Sequence, residues 1–298
     1  MYDEQNSSCE TTTYSRTIEF NENLRRNRSG MNLSFYTPIS YDYKYSLPTI
    51  LSYYKIADEI LLAIDKDRIS WSKNKFAFDE CFFDEIKKID VENKISIVEG
   101  DFHSLDSPIQ NDTNERNFIT TVCKKDNFIV GIDSDEVLLN PNEFLEWLNV
   151  SNPHFSDVSC MMSSVYKAFG KTLLVNYPKE SVVIGTKSTN CYKICRNTKN
   201  ASLMSPLKIL HFSWGRTRQD ILQKLSNFGH SKDFNIDDYM KIWDNVTLEN
   251  YALKKELHPL LKCRKHIWLS LEAVNLDDFK LEEPVAIVVL KTLKSIEM

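Results

Sequence analysis

Asn127-Phe-Ile-Val-Gly-Ile-Asp133-Ser-Asp135-Glu136-Val-Leu-Leu-Asn140-Pro141 is the stretch on which the fold turns. Uncharged residues, mostly β-branched or aromatic, run straight into three acids. An apolar run of this length, closed by polar residues, reads as a strand buried on both faces, as in a parallel sheet. Asp133 and Asp135 are two apart, so on a strand they point the same way. Gly131 removes a side chain from that face and leaves room for a ligand to approach the backbone. Two carboxylates at the carboxyl end of a buried strand stand where open α/β sheets bind ligands. Their mutual repulsion asks for a divalent cation or a proton. The plainer reading is a polar turn that caps the next helix. However, Asn140-Pro141-Asn142-Glu143 already supplies Asn at N-cap, Pro at N1 and Glu at N3, which leaves the acids spare.

Outward from this stretch, strand and helix alternate. Asn32–Tyr36, Glu59–Ile64 and Ile95–Val98 read as strands, and helices are expected after Pro48, over 74–89 and from Asp112 to about Lys125, the last opened by an Asp112-Thr-Asn-Glu115 capping box. Four strand–helix alternations predict a doubly wound, mostly parallel sheet flanked by helices. Past Asn149 short β-like runs (158–163, 172–175, 181–184 and 191–195) predict a smaller, partly antiparallel β portion. Lys208–Trp214 is one more buried strand, and Thr217 caps the helix after it. From about residue 237 the chain reads as a helical C-terminal extension, with Pro284–Leu290 either a strand or a packed helix. Residues 1–30 read as a polar leader and 31–236 as the main domain, with 237–298 packed on it.

Composition sets bounds. At 298 residues, 42% hydrophobic and 27% charged, the chain is of ordinary soluble globular make-up and long enough for a large core. A net charge of −5 argues against non-specific nucleic-acid binding. Seven cysteines without a CxxC pair suit free thiols in a reducing compartment better than a zinc cluster. No apolar run suits a signal peptide or a membrane span. Lys254, Lys255, Lys262, Arg264 and Lys265 lie among apolar residues in the tail, a pattern shared by solvated helix faces and by peripheral contact with an anionic membrane.

Three further positions carry candidate chemistry. Asp65 ends the second strand on the same edge as Asp133; it either reads a base N–H or starts the Asp65-Lys-Asp67 turn. Arg116, near the start of its helix, is either a diphosphate partner or a surface charge. His211 ends a strand, as a structural histidine or as a third ligand beside two carboxylates.

The Asp133-Ser-Asp135-Glu136 stretch, Glu115-Arg116-Asn117, and His211-Phe-Ser-Trp214 followed by Lys224-Leu-Ser-Asn-Phe-Gly-His230 together resemble the GT-A class of nucleotide-sugar glycosyltransferases. They are similar to its β-1,4-mannosyl-glycoprotein N-acetylglucosaminyltransferase-like branch and to bacterial family 2-like enzymes of surface-polysaccharide synthesis. The resemblance covers roughly residues 32–235. It implies a GT-A-like, Rossmann-like fold and transfer from a nucleotide-diphosphate sugar, a UDP-sugar by preference, to a saccharide or lipid-linked acceptor in the cytoplasm or at the inner membrane face. It further implies Mn²⁺ or Mg²⁺ held by Asp133, Asp135 and His211, with Asp65 on the base and Arg116 and Lys224 on the phosphates. An inverting reaction also needs a carboxylate base. Asp157, Glu180 and Asp233 lie in the loop-rich half, and Glu180, after Tyr177-Pro178-Lys179, is the one chosen. Trp214 reads as core or as pocket wall, and His230 as structural or on the rim. Two other classes compete. One is a haloacid-dehalogenase-like phosphatase, with Asp133 as nucleophile and Asp135 as general acid. The other is a binding module that keeps nucleotide-sugar affinity without turnover.

Overall fold

The computed structural model describes residues 31–79, 81–153, 156–260 and 268–297. Strands β1 (Leu33–Ile39), β2 (Glu59–Asp65), β3 (Ile95–Gly100) and β4 (Phe128–Gly131) form the parallel centre of the sheet, in the order β3-β2-β1-β4. Their connections contain α1 (Ser46–Tyr54), α2 (Phe82–Ile89) and α3 (Pro108–Val122). Side chains alternate between two layers, as the two-residue strand period requires. Leu33, Phe35, Ile60, Leu62, Ile64, Phe128 and Val130 pack on one face with Tyr53 of α1 and Ile86 of α2. Tyr36, Leu61, Ala63 and Ile129 pack on the other with Ile119 of α3. This is an α/β fold with a parallel central sheet covered by helices.

Beyond β4 the sheet becomes mixed. After β5 (Glu136–Leu138) and α4 (Pro141–Ser151) come β6 (Asp157–Phe169), β7 (Thr172–Tyr177), β8 (Glu180–Lys187) and β9 (Ser202–His211). β8 runs antiparallel to both β4 and β6, whereas β9 is parallel to β6 and antiparallel to β5. Helices α5 (Arg218–Asn227) and α6 (Ile236–Asp244), strand β10 (Ser270–Asn275) and helix α7 (Glu283–Glu297) complete the chain.

Several boundaries differ from expectation. The capping box at Asp112 is not a helix start: α3 opens at Pro108 with Ser107 as its extended N-cap residue, and Asp112, Glu115 and Arg116 are buried inside it. The 74–89 helix is shortened to α2. Phe76 N–H instead bonds to the Arg68 carbonyl at 2.9 Å, and Phe78 stacks on Phe82 with centroids 5.2 Å apart. Residues 191–195 form no strand; they turn through Cys195, whose φ of 46° cannot continue a ladder. The C-terminal extension is not all helix, because β10 pairs antiparallel with β7. Pro284–Leu290 is helical, within α7. The space left by Gly131 is filled by Tyr36, whose phenol an added Cβ would strike. Residues 1–30 and Lys262, Arg264 and Lys265 lie outside the described residues. Among the described residues, no helix is long and apolar enough to cross a membrane.

Candidate active site at the carboxyl edge of the sheet

The strand order reverses direction at β1, which is flanked by β2 on one side and β4 on the other. A cavity of about 300 Å³ opens there, outside the carboxyl ends of these strands, at the switch point where open α/β sheets bind ligands. Its walls include Asp65, Arg116, Asp133, Asp135, His211 and Lys224. Asp135 and His211, 76 positions apart in the chain, are brought to one place because β5 pairs with β9 and sets Glu136 opposite His211.

The acids lie in the turn between β4 and β5, and each is held by cations. Asp133 accepts from Arg116 Nη2 at 2.9 Å and Arg196 Nη2 at 2.6 Å. Burial alone would raise its pKa, but Arg116 and Arg196 outweigh that and hold it below the usual carboxylate range. Asp135 Oδ2 accepts from Lys224 Nζ at 2.6 Å and from Arg216 Nη2, and His211 Nε2 lies 3.3 Å away. Against the upward push of burial, Lys224, His211 and Arg216 keep Asp135 ionised. The same burial, with Arg216 beside it, lowers the pKa of Lys224.

Arg116 is not a free phosphate clamp. Its Nε donates to Asp112 at 2.5 Å and its Nη1 to the Tyr36 hydroxyl at 3.2 Å, so each of its three nitrogens is already bonded within the protein, Nη2 to Asp133. Asp65 is equally committed. Its oxygens accept from the N–H groups of Asp67, Ile69 and Phe102, and His103 Nδ1 lies at 2.8 Å. With its four lone-pair sites taken, it ties down the turn after β2 and has none left for a base.

Asp133, Asp135 and His211 as arranged do not fit a divalent cation. Both Asp133 oxygens face guanidinium groups, and Asp135 Oδ2 is shared by two cations and an imidazole. Among the described residues the three acid or imidazole groups whose ligand atoms converge within 4.8 Å are Asp65, Asp101 and His103, and there Asp65 is saturated as described.

Glu180 does not line the cavity. It accepts from Trp268 Nε1 at 2.9 Å and from Ser164 Oγ at 3.2 Å, and that hydroxyl lies 3.4 Å from His211 Nδ1. It touches the site only through Ser164 and His211, as a positioning group. Asp157 is buried against Thr186 and Thr198, and Asp233 pairs with His230 at the rim. Sequence reasoning missed Arg196, Arg216 and Asp42. Arg196 bridges Asp133 and Glu136, and Arg216 bridges Asp42 and Asp135. It also missed Glu115 as a buried group: its carboxyl accepts from Trp71 Nε1 at 2.6 Å, and burial lifts its pKa to about 8.

No family model and no curated protein matches this chain. Among solved structures, a Staphylococcus aureus TarS fragment (1–349) is 16% identical with a TM-score of 0.32, over 47% of this chain and 38% of that one. Mannose-6-phosphate isomerase from Helicobacter pylori is 11% identical with a TM-score of 0.31, over 48% and 58%. A second TarS structure gives 16% and 0.31, over 47% and 23%. Each overlap takes in under half of this chain and less than two thirds of the other, and carries no argument about activity.

Proposed function

We propose that this chain is a glycosyltransferase, which binds a nucleoside-diphosphate sugar, a UDP-sugar by preference, in the switch-point cavity and passes the sugar to a saccharide or lipid-linked acceptor. The observation that carries the reading is the meeting of Asp133, Asp135, His211 and Lys224 at that cavity, from two segments of the chain. Lys224 and Arg196 both line the cavity, Lys224 on Asp135 and Arg196 on Asp133 and Glu136. Together they are suited to meet the donor diphosphate and the charge that builds on it as it leaves. In the transfer, the acceptor hydroxyl oxygen bonds to the anomeric carbon as the bond from that carbon to the diphosphate oxygen breaks. The hydroxyl proton passes to the imidazole of His211, which lines the cavity with its Nε2 3.3 Å from Asp135 Oδ2. Glu180 acts behind it, orienting the imidazole through Ser164.

The test is thermal stability with UDP, GDP and CMP, each with Mn²⁺ and with chelator, on wild type, Lys224→Gln and Asp135→Asn. A ligand at about 100 times its dissociation constant adds ~2.7 kcal/mol to the folded state. The expected result is that one diphosphate raises the melting temperature with chelator present, and that Lys224→Gln abolishes the rise. A rise that needs Mn²⁺ and is lost in Asp135→Asn gives the carboxylates to the ion and releases Lys224 to the phosphates. If no nucleotide moves the melt under either condition, the transferase reading is wrong.

A further inference from the structure

Glu115 is a buried acid in the cavity wall that the transfer chemistry leaves unused. It stands on α3, one position before Arg116, and its Oε2 accepts the Trp71 indole N–H at 2.6 Å. Oε1 has no hydrogen-bond partner among the described residues, yet it is not sealed. The side-chain atoms there that are both unpartnered and cut off from solvent are Glu92 Oε1, Tyr166 Oη, Trp214 Nε1 and Tyr239 Oη. Glu115 Oε1 therefore keeps accessible surface, and that surface faces the cavity. Burial lifts the Glu115 pKa to about 8; of the charged groups around it, Arg116 favours ionisation while Asp112 and Asp65 oppose it. At neutral pH the carboxyl thus keeps its proton. Because Oε2 accepts from Trp71, the proton belongs on Oε1, the oxygen that meets the cavity.

We infer that Glu115 reads the base of the donor: its Oε1–H donates to a carbonyl oxygen of an uncharged planar ring set beside Trp71, the uracil of a UDP-sugar; this rests on the transferase reading. A carboxylic acid kept neutral by its surroundings is a donor, and it needs an acceptor that arrives with the ligand. The other side chains at this end cannot serve. Asp65 has its lone pairs taken by Asp67, Ile69, Phe102 and His103, and each nitrogen of Arg116 is bonded within the protein. The shape of the wall agrees. Half-buried Trp71 lines the cavity with Ile69, Phe102 and Ile109, apolar surfaces suited to the π-face of a base. Position agrees as well. Arg116 Nη2 bonds to Asp133 at 2.9 Å while its guanidinium carbon lies 6.0 Å from the Trp71 ring centroid. A base held by Trp71 and Glu115 thus adjoins the acids on which the phosphate-facing Lys224 and Arg196 stand.

The experiment is calorimetric titration of the full chain with UDP, with UDP-N-acetylglucosamine and with pyrophosphate, at pH 7 and pH 9, on wild type, Glu115→Gln and Glu115→Met. Glutamine keeps an acceptor for Trp71 and an N–H for the base, and cannot ionise. The expected result is that wild type binds UDP about tenfold more weakly at pH 9 than at pH 7, as the protonated fraction falls across about 8. Glu115→Gln binds UDP as wild type does at pH 7 and loses less than wild type at pH 9; Lys224, common to both, cannot cause that difference. Glu115→Met binds UDP about tenfold more weakly at pH 7, the worth of one neutral hydrogen bond. Pyrophosphate, which has no base, distinguishes none of the three proteins. Equal losses with pH in wild type and Glu115→Gln overturn the assignment, and this comparison stands even if Glu115→Met does not fold. An effect confined to UDP-N-acetylglucosamine overturns it too, because the carbonyl read is then the acetamido group. Failure of the parent reading looks different: UDP then binds wild type at neither pH, and the base contact falls with it.

Discussion

Glu115 and Asp135 are two buried acids in one cavity wall, and their surroundings push them in opposite directions. Glu115 has a single neutral donor, Trp71, and burial raises it from 4.5 to about 8. Asp135 is equally buried, but Lys224, His211 and Arg216 hold it ionised. For Glu115 the folded state binds the proton more tightly than the unfolded chain between these two values. Its contribution is therefore full below pH 4.5 and is lost as pH rises through about 8, at up to ~1.4 kcal/mol per pH unit. Glu115→Gln keeps an acceptor for Trp71 and cannot ionise. Urea titrations from pH 5 to 8 should show a falling stability in wild type that is flattened in Glu115→Gln; equal slopes would mean that Glu115 does not hold its proton. Asp135 has the opposite sign, its contribution being present above pH 3.8 and lost on acidification. Lys224→Met should cost ~3–5 kcal/mol by leaving part of the Asp135 charge buried and unpaired, read as a lower denaturation midpoint at constant slope. At this scale the sequence was half legible. Asp133, Asp135, His211 and Lys224 carry a recognisable order. Arg196 and Arg216 do not, because they reach their acids across 60 to 81 positions with no local pattern between them.

At the scale of elements, a glycine shows how spacing and packing diverge. Gly131 does mark a close approach in β4, as a glycine inside an apolar strand suggests. What approaches is Tyr36 of β1, not a ligand, and its hydroxyl is then carried to Arg116. No single-strand pattern could reveal that, since it depends on the pairing of Tyr36 with Gly131 across two parallel strands. Gly131→Ala should therefore destabilise by ~1–3 kcal/mol through overpacking. Gly229→Ala is the control. There an added Cβ would meet the flexible Cδ1 of Ile109 at 3.2 Å, so the loss should be clearly smaller. Equal losses in melting temperature would show that the Tyr36 contact is soft. The start of α3 gives the same lesson. Asp112-Thr-Asn-Glu115 has the composition of a cap, yet Pro108 at N1 starts the helix earlier and turns Glu115 and Arg116 inward.

At the scale of the molecule, the parallel half of the sheet was legible because each strand is followed by a helix and each face alternates. The rest was not, because its contacts span long stretches of chain. β6 borders β7, β8 and β9, and β10 returns from the C-terminal extension to border β7. Val285, Val289 and Leu293 of α7 are buried in one cluster with Val175 of β7, Leu210 of β9 and Phe212 just before the Trp214 turn. The extension is thus a wall of the main core, and removing it would uncover the strand that delivers His211. Val289→Asp places a carboxylate in that cluster with no cation among its apolar members, at a cost of several kcal/mol. The expected result is a large fall in melting temperature within a single transition, with tryptophan fluorescence and far-ultraviolet ellipticity coincident. Two transitions, the lower one confined to the C-terminal part, would mean that residues 237–297 fold as a separate layer. In that case the substitution would leave the nucleotide-induced stabilisation of the upper transition intact. If the core is shared, the nucleotide shifts the only transition there is, and the destabilised variant gains from it as wild type does.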